Sequence, residues 1–252
     1  MIHFVGAGCG APDLITVRGL RFIQQADVII YAGSLVNPEL LSNAKPECQI
    51  HNSAAMTLDE VIEVMYAAEQ QGLMTVRLHT GDPSIYGAIR EQIDRLNALQ
   101  VPFDICPGVS SFCGAAASLK AEYTLPAVSQ TVILTRMEGR TPVPESEQIP
   151  LLAAHQATMI IFLSTGMLSK LSAQLIEGGY SPDTPAAIVY KATWQDEIIC
   201  RCTIRTLAET AAVHHIKKTA LITVGEFLGD DYALSKLYDP NFETEYRKAH
   251  CK

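Results

Sequence analysis

Three stretches combine residue types and spacings suited to chemistry. The first, Gly6-Ala7-Gly8-Cys9-Gly10-Ala11-Pro12, follows the apolar run at residues 2–5. Glycines let a backbone turn tightly and approach a ligand with no Cβ in the way. In its permissive form, G-x-G-x-x-A, the loop matches a dinucleotide fingerprint, yet two features oppose that use. A nicotinamide site needs an acidic residue on the ribose about 20 residues further on, whereas the second strand here ends Tyr31-Ala32-Gly33-Ser34. The first helix is expected only from Thr16, beyond Pro12-Asp13-Leu14, so the glycines miss the helix N-terminus where pyrophosphate would sit. A ligand without phosphate suits this loop better, and a plain tight turn is the structural alternative.

The second stretch, Thr80-Gly81-Asp82-Pro83-Ser84-Ile85-Tyr86-Gly87, follows a buried strand. Loops at the carboxyl ends of parallel strands are where open α/β sheets bind ligands. Pro83 holds Asp82 extended, so its carboxylate or backbone can face a cleft, unless it is a simple helix cap. The third, Pro107-Gly108-Val109-Ser110-Ser111, opens onto a helix whose free N–H groups and hydroxyls suit a carboxylate; Ser110 as a plain N-cap is the bland reading. Further on, Arg136-Met137-Glu138-Gly139-Arg140 places charges where a strand opens into a loop, and Tyr190-Lys191-Ala192-Thr193-Trp194 holds the single tryptophan. An exposed ion-pair cluster and a rim packing residue are the ordinary readings of those two.

These loops need elements to position them. Apolar runs and amphipathic stretches alternate through the first half: strands at 2–5, 28–31, 48–51, 74–78 and 103–106, with helices at 16–26, 57–71, 86–99 and from Ser110. Thr57 and Glu60 form a capping box, and Gly72 stands just past the helix end. Such alternation implies parallel strands joined by crossover helices. In the second half, strands are expected at 131–135, 159–163, 187–190, 198–203 and 220–224. The connection at 192–197 is too short for a crossover helix, which predicts an antiparallel pair. The expectation is two α/β domains, a mainly parallel one at 1–119 and a mixed one at 127–229, with a cleft between them, a hinge at 120–127 and a partly mobile tail at 230–252.

Composition limits the partners. A formal net charge of −8 with no basic stripe argues against nucleic acid. No apolar run approaches the roughly 20 residues that span a bilayer, and no signal peptide is evident. Seven cysteines, with no C-x-x-C spacing, suggest reduced thiols in the cytoplasm. Cys200 and Cys202 fall on one face of a strand as packing residues, His214-His215 reads as surface at a helix end, and no protein-bound metal is expected.

Taken together, G-A-G-x-G, G-D-P-x-x-Y-G, P-G-V-S-S and the late T-A-L-I-T-V-G, in that order over residues 2–228, resemble the tetrapyrrole methylase family. Glu138-Gly139-Arg140-Thr141-Pro142-Val143-Pro144, residues 130–136 and residues 190–194 look like its branch that methylates carbon 11 of cobalt-precorrin-4, in the anaerobic route to cobalamin. The resemblance implies S-adenosylmethionine in the interdomain cleft, a tetrapyrrole substrate and a homodimer. Carried over by position, the donor contacts are Cys9, Thr80, Gly81, Asp82, Ile85, Ser110 and Ser111, then Leu163, Ala192 and Ala220 from the second domain. Cys9 and Ala11 depart from the Pro and Asp common in relatives, and Gly33 replaces the Asp of uroporphyrinogen-type members.

Because a sulfonium already activates its methyl group, alignment with a ring carbon is the main task, and orientation alone is worth on the order of 7–11 kcal/mol. Asp82, Tyr86 and Glu138 are catalytic candidates by location only. An acidic protein that captures a polycarboxylate needs local positive charge, which singles out Arg136, Arg140 and Lys191. The rival readings are a metal-free precorrin-4 enzyme, a nicotinamide oxidoreductase, and a sensor that binds the methyl donor without turnover.

Overall fold

The computed structural model describes residues 1–249, so the end of the expected tail, including Cys251, lies outside the described residues. The chain divides into two compact units: Met1–Ser118 with Lys191–Ile198, and Leu119–Tyr190 with the chain from Ile199 onward.

The first unit runs β1 (Ile2–Gly6), α1 (Val17–Gln25), β2 (Val28–Tyr31), β3 (Gln49–Asn52), α2 (Leu58–Gln70), β4 (Thr75–His79), α3 (Arg90–Ala98), β5 (Phe103–Cys106) and α4 (Ser111–Leu119). Its five strands are all parallel, in the order β3-β2-β4-β1-β5. Every residue of β1 and β4 is buried, as expected for strands covered on both faces. Val5, Ile29 and Leu78 pack under Ile23 of α1 and Leu40. On the other face Phe4 and Ile30 pack with Val61 and Met65 of α2 and Leu96 of α3. The chain therefore leaves the adjacent strands β1 and β4 toward opposite faces, the arrangement in which open α/β sheets bind ligands at the carboxyl ends of their strands.

Local signals were decisive at α2. Glu60 N–H donates to Thr57 Oγ1 at 3.3 Å and Thr57 N–H donates to Glu60 Oε2 at 2.6 Å, the reciprocal cap expected from sequence. The expected helix at 86–99 needs correction, because α3 begins only at Arg90. Tyr86 and Ala88 adopt φ of +56° and +50°, left-handed values that a right-handed helix cannot contain.

The second unit contains β6 (Val132–Arg136), α5 (Ile149–Ala153), β7 (Thr158–Phe162), α6 (Leu168–Glu177), β8 (Pro185–Tyr190), β9 (Ile198–Thr203), α7 (Leu207–Val213) and β10 (Ala220–Val224). The strand order is β6-β7-β10-β8-β9. β6 and β7 are parallel, while β10 runs antiparallel to both β7 and β8, so the sheet is mixed as expected. Cys200 is buried and Cys202 half-buried; burial raises both thiol pKa values, that of Cys202 to about 11, which suits packing residues. His214 and His215 are exposed just past α7. In the tail, Arg247 donates to the carbonyls of Leu237 and Asp239 at 2.9 and 2.7 Å.

Candidate functional site

Three loops at the carboxyl ends of β4, β1 and β5 meet at glycines. A Cβ on Gly6 would lie 2.5 Å from the Gly81 carbonyl oxygen and 2.6 Å from Gly108 Cα. One on Gly108 would lie 2.2 Å from the same oxygen and 2.7 Å from Gly6 Cα. No side chain fits at these contacts, so the glycines are there for a three-way backbone crossing. Gly8 and Gly81 exchange hydrogen bonds across it: Gly81 N–H donates to Gly8 O at 2.9 Å and Gly8 N–H to Gly81 O at 3.3 Å. The expected donor contacts Cys9, Thr80, Gly81, Asp82, Ile85, Ser110 and Ser111 all belong to this loop cluster of the first unit.

Asp82 binds the cluster together. Its Oδ2 accepts the Gly108 N–H at 2.8 Å, and its Oδ1 accepts the N–H of Ser84 at 2.8 Å and the Ser84 hydroxyl. Burial works against its charge, but these hydrogen bonds outweigh it and hold the carboxyl below its ordinary pKa. A carboxylate so occupied is a poor proton acceptor. Beside it, the Thr80 hydroxyl oxygen is buried with no hydrogen-bond partner among the described residues. Buried polar atoms are rarely left that way, so a ligand atom is the natural partner for this one. Tyr86 stands 45% exposed at the rim of the same loop.

The segment Lys191–Ile198 completes this unit. Ala192 therefore groups with the first unit, not with the second as its place in the chain suggested. Gly10 has φ +157°, and a Cβ there would lie 2.3 Å from Trp194 Cδ1 and 2.4 Å from the Ala192 carbonyl oxygen. Lys191 pairs with Asp196 at 2.5 Å and lies 5.1 Å from the Trp194 ring centroid, so its charge has partners within its own loop. Cys9 is buried and receives the Thr193 hydroxyl at 3.5 Å.

The second unit carries the remaining expected residues. Arg136 donates to the carbonyls of Met137, Thr141 and Pro142 at 3.2, 3.2 and 2.7 Å. Its guanidinium organises the 137–142 loop instead of projecting from it. Glu138 and Arg140 are exposed on that loop, and Arg140 has no ion pair or hydrogen bond among the described residues. Leu163, directly after β7, is 64% exposed with φ +52°. Ala220 is buried, and its carbonyl accepts the Thr165 hydroxyl at 3.1 Å.

Some residues of the site were not singled out by their sequence. Asn37 donates to the Gly10 carbonyl at 3.0 Å from a buried position, and Glu197 and Thr193 anchor the 191–197 segment. An Asn before Pro38 signals a turn; nothing in spacing alone marks Thr193. No group of three His, Cys, Asp or Glu side chains is placed to hold a metal among the described residues.

Comparison with known proteins places this geometry in context. Residues 1–208 match the model for tetrapyrrole (corrin/porphyrin) methylases. The chain is 59% identical to the cobalt-precorrin-4 C(11)-methyltransferase of Methanocaldococcus jannaschii, over 100% of this chain and 97% of the relative. It is 43% identical to the precorrin-4 C(11)-methyltransferase of Pseudomonas aeruginosa, over 98% of each. An X-ray structure of a cobalt precorrin-4 methyltransferase superposes with a TM-score of 0.89 at 47% identity, covering 91% of this chain and 96% of that one. A uroporphyrin-III C-methyltransferase from Thermus thermophilus, solved with S-adenosylhomocysteine, shares the fold at a TM-score of 0.74 and 22% identity, over 90% of this chain and 93% of that one. Identity of this extent, carried from end to end on the same pair of sheets, settles kinship: the chain belongs to the tetrapyrrole methylase family.

Proposed function

We propose that this protein transfers a methyl group from S-adenosylmethionine to carbon 11 of cobalt-precorrin-4, in the anaerobic route of cobalamin synthesis. The observation that carries the substrate is the 59% identity, across the whole chain, to a relative of that name. The 43% identical relative acting on precorrin-4 supports the metal-free substrate as the second reading.

The first unit fits the donor. Its cradle is backbone, closed to any Cβ at Gly6 and Gly108, with the Thr80 hydroxyl awaiting a partner. Phosphate is not catered for: the glycine loop runs into a 3-10 turn at Pro12–Leu14 before α1 begins, and β2 ends without a carboxylate. A nicotinamide oxidoreductase is correspondingly disfavoured. When bound, S-adenosylmethionine supplies a methyl group on a sulfonium, which a nucleophilic ring carbon displaces as the carbon–sulfur bond breaks.

The chain's own residues then have four tasks. Thr80, Gly81, Ile85, Ser110, Ser111 and Ala192 shape and hold the donor, with Leu163 and Ala220 as further contacts. Asp82 locks two loops of the cradle and keeps its charge, which makes it a positioning residue. Arg140 offers its guanidinium fork to the substrate's carboxylates, where Lys191 and Arg136 are already engaged. Tyr86, at the rim of the loop after β4, and Glu138, exposed on the 137–142 loop, are placed to guide the proton that the ring must lose. A homodimer in the cytoplasm belongs to the same proposal, and sedimentation of the purified protein tests the dimer.

Calorimetric titration tests the donor: S-adenosylhomocysteine binds and NAD does not. Tight NAD binding, or no binding of S-adenosylhomocysteine, would reject this reading. Donor binding without turnover on any corrinoid would make the protein a sensor instead.

A further inference from the structure

The connection between β8 and β9 contains a backbone outlier. Thr193 has φ +68° and Lys191 has φ +46°. Left-handed values suit Gly and Asn; a β-branched residue there is strained, and such strain persists only where the surroundings enforce it. Four hydrogen bonds and one close methyl contact surround it. Thr193 N–H donates to Glu197 Oε2 at 2.5 Å, and the Ser118 hydroxyl at the end of α4 donates to the same oxygen. The Thr193 hydroxyl accepts the Ala11 N–H at 3.0 Å and donates to Cys9 Sγ at 3.5 Å. Its methyl lies 3.3 Å from where a Cβ on Gly114 of α4 would stand. The side chain is thus wedged between the glycine loop and α4, with both lone pair and proton of the hydroxyl committed to the loop.

A glycine at 193 would satisfy the backbone at no steric cost. A threonine is found instead, and what it adds is the hydroxyl bridge across residues 9 and 11. We infer that Thr193 is a positioning residue for the methyl donor: it sets the curvature of the glycine loop from outside, with Glu197 holding it in its strained conformation. This rests on the donor reading above and adds to it a residue outside the three glycine motifs. It also accounts for Cys9, whose sulfur takes the proton of the Thr193 hydroxyl.

The test measures S-adenosylhomocysteine affinity and thermal midpoint together, on the full chain. The wild type binds. Thr193→Gly relieves the strained φ and removes the bridge, so affinity falls about tenfold while the midpoint stays within a few degrees of wild type or rises. Thr193→Ser keeps the hydroxyl and recovers affinity to within about threefold of wild type. Unchanged affinity in Thr193→Gly overturns the inference. A parallel loss of affinity and midpoint in Thr193→Gly, unrescued by Thr193→Ser, also overturns it, because the residue would then be merely structural. Failure of the wild type to bind overturns the donor reading itself, a distinct result.

Discussion

The carboxylate of Asp82 receives the backbone N–H of Gly108 at 2.8 Å, tying the loop after β4 to the loop after β5. Because Ser84 occupies the other oxygen, the side chain is spent on architecture, in a motif whose position alone suggested catalysis.

Asp82→Asn separates the two roles. Hydrogen bonds to a charged acceptor are worth about 1.5–3 kcal/mol, so the variant should bind S-adenosylhomocysteine about tenfold more weakly and unfold at lower urea. A general base would behave otherwise, with donor affinity intact and turnover lost. The lowered pKa of Asp82 means its stabilisation is full above the ordinary carboxylate pKa and fades as pH falls through the lower folded value. The variant should lack that acid-side loss in urea titrations below about pH 4.

Gly108→Ala tests the backbone crossing. The added methyl would stand 2.2 Å from the Gly81 carbonyl oxygen, and backbone must move to admit it. Overpacking costs about 1–3 kcal/mol, and the expected outcome is a lower urea midpoint with donor binding abolished. Gly72→Ala is the control: nothing lies within 4 Å of its Cβ, though its φ of +70° adds modest strain. Calorimetry should show its donor affinity unchanged.

His79 predicts a second pH effect. It is 3% exposed, its Nε2 lacks a hydrogen-bond partner among the described residues, and burial together with the Arg77 charge lowers its pKa to about 3. The unfolded chain takes up this proton near the ordinary value of 6.5 and the folded chain does not. Stability is therefore whole above about pH 6.5 and declines as pH falls toward 3, by at most about 1.4 kcal/mol per unit. His79→Phe, beside Phe4, should flatten the urea-midpoint profile between pH 6 and 4. An unchanged slope would mean that His79 does not titrate this way.

Much of this was legible in residues whose signals are local. The Thr57–Glu60 box fixed the start of α2, and the alternation of apolar runs gave both sheets, because each is written in neighbouring side chains. Tyr86 and Ala88 were not, since their left-handed turn brings Gly87 against the Pro83 backbone, a close approach that no periodicity expresses. Arg136 shows another limit: type and position suggested a carboxylate ligand, but three carbonyls of its own loop are closer. Residues 191–198 join the first unit through Thr193 and Ala11, partners 182 residues apart in sequence, and spacing cannot reveal such a pairing.

The two arginines should accordingly part company. Arg140→Ala is expected to weaken tetrapyrrole binding several-fold, more at low salt, with donor affinity and thermal midpoint unchanged. Arg136→Ala should lower the midpoint, since it strands the carbonyls that shape the loop. Equal tetrapyrrole affinity in Arg140→Ala and wild type would remove Arg140 from the site.

The most direct test of the account is a single anaerobic turnover with methyl-labelled S-adenosylmethionine, followed by NMR of the macrocycle. The label should appear on carbon 11 of cobalt-precorrin-4, faster than on the metal-free ring. Label at another carbon, or none on either ring while S-adenosylhomocysteine still binds, would contradict it.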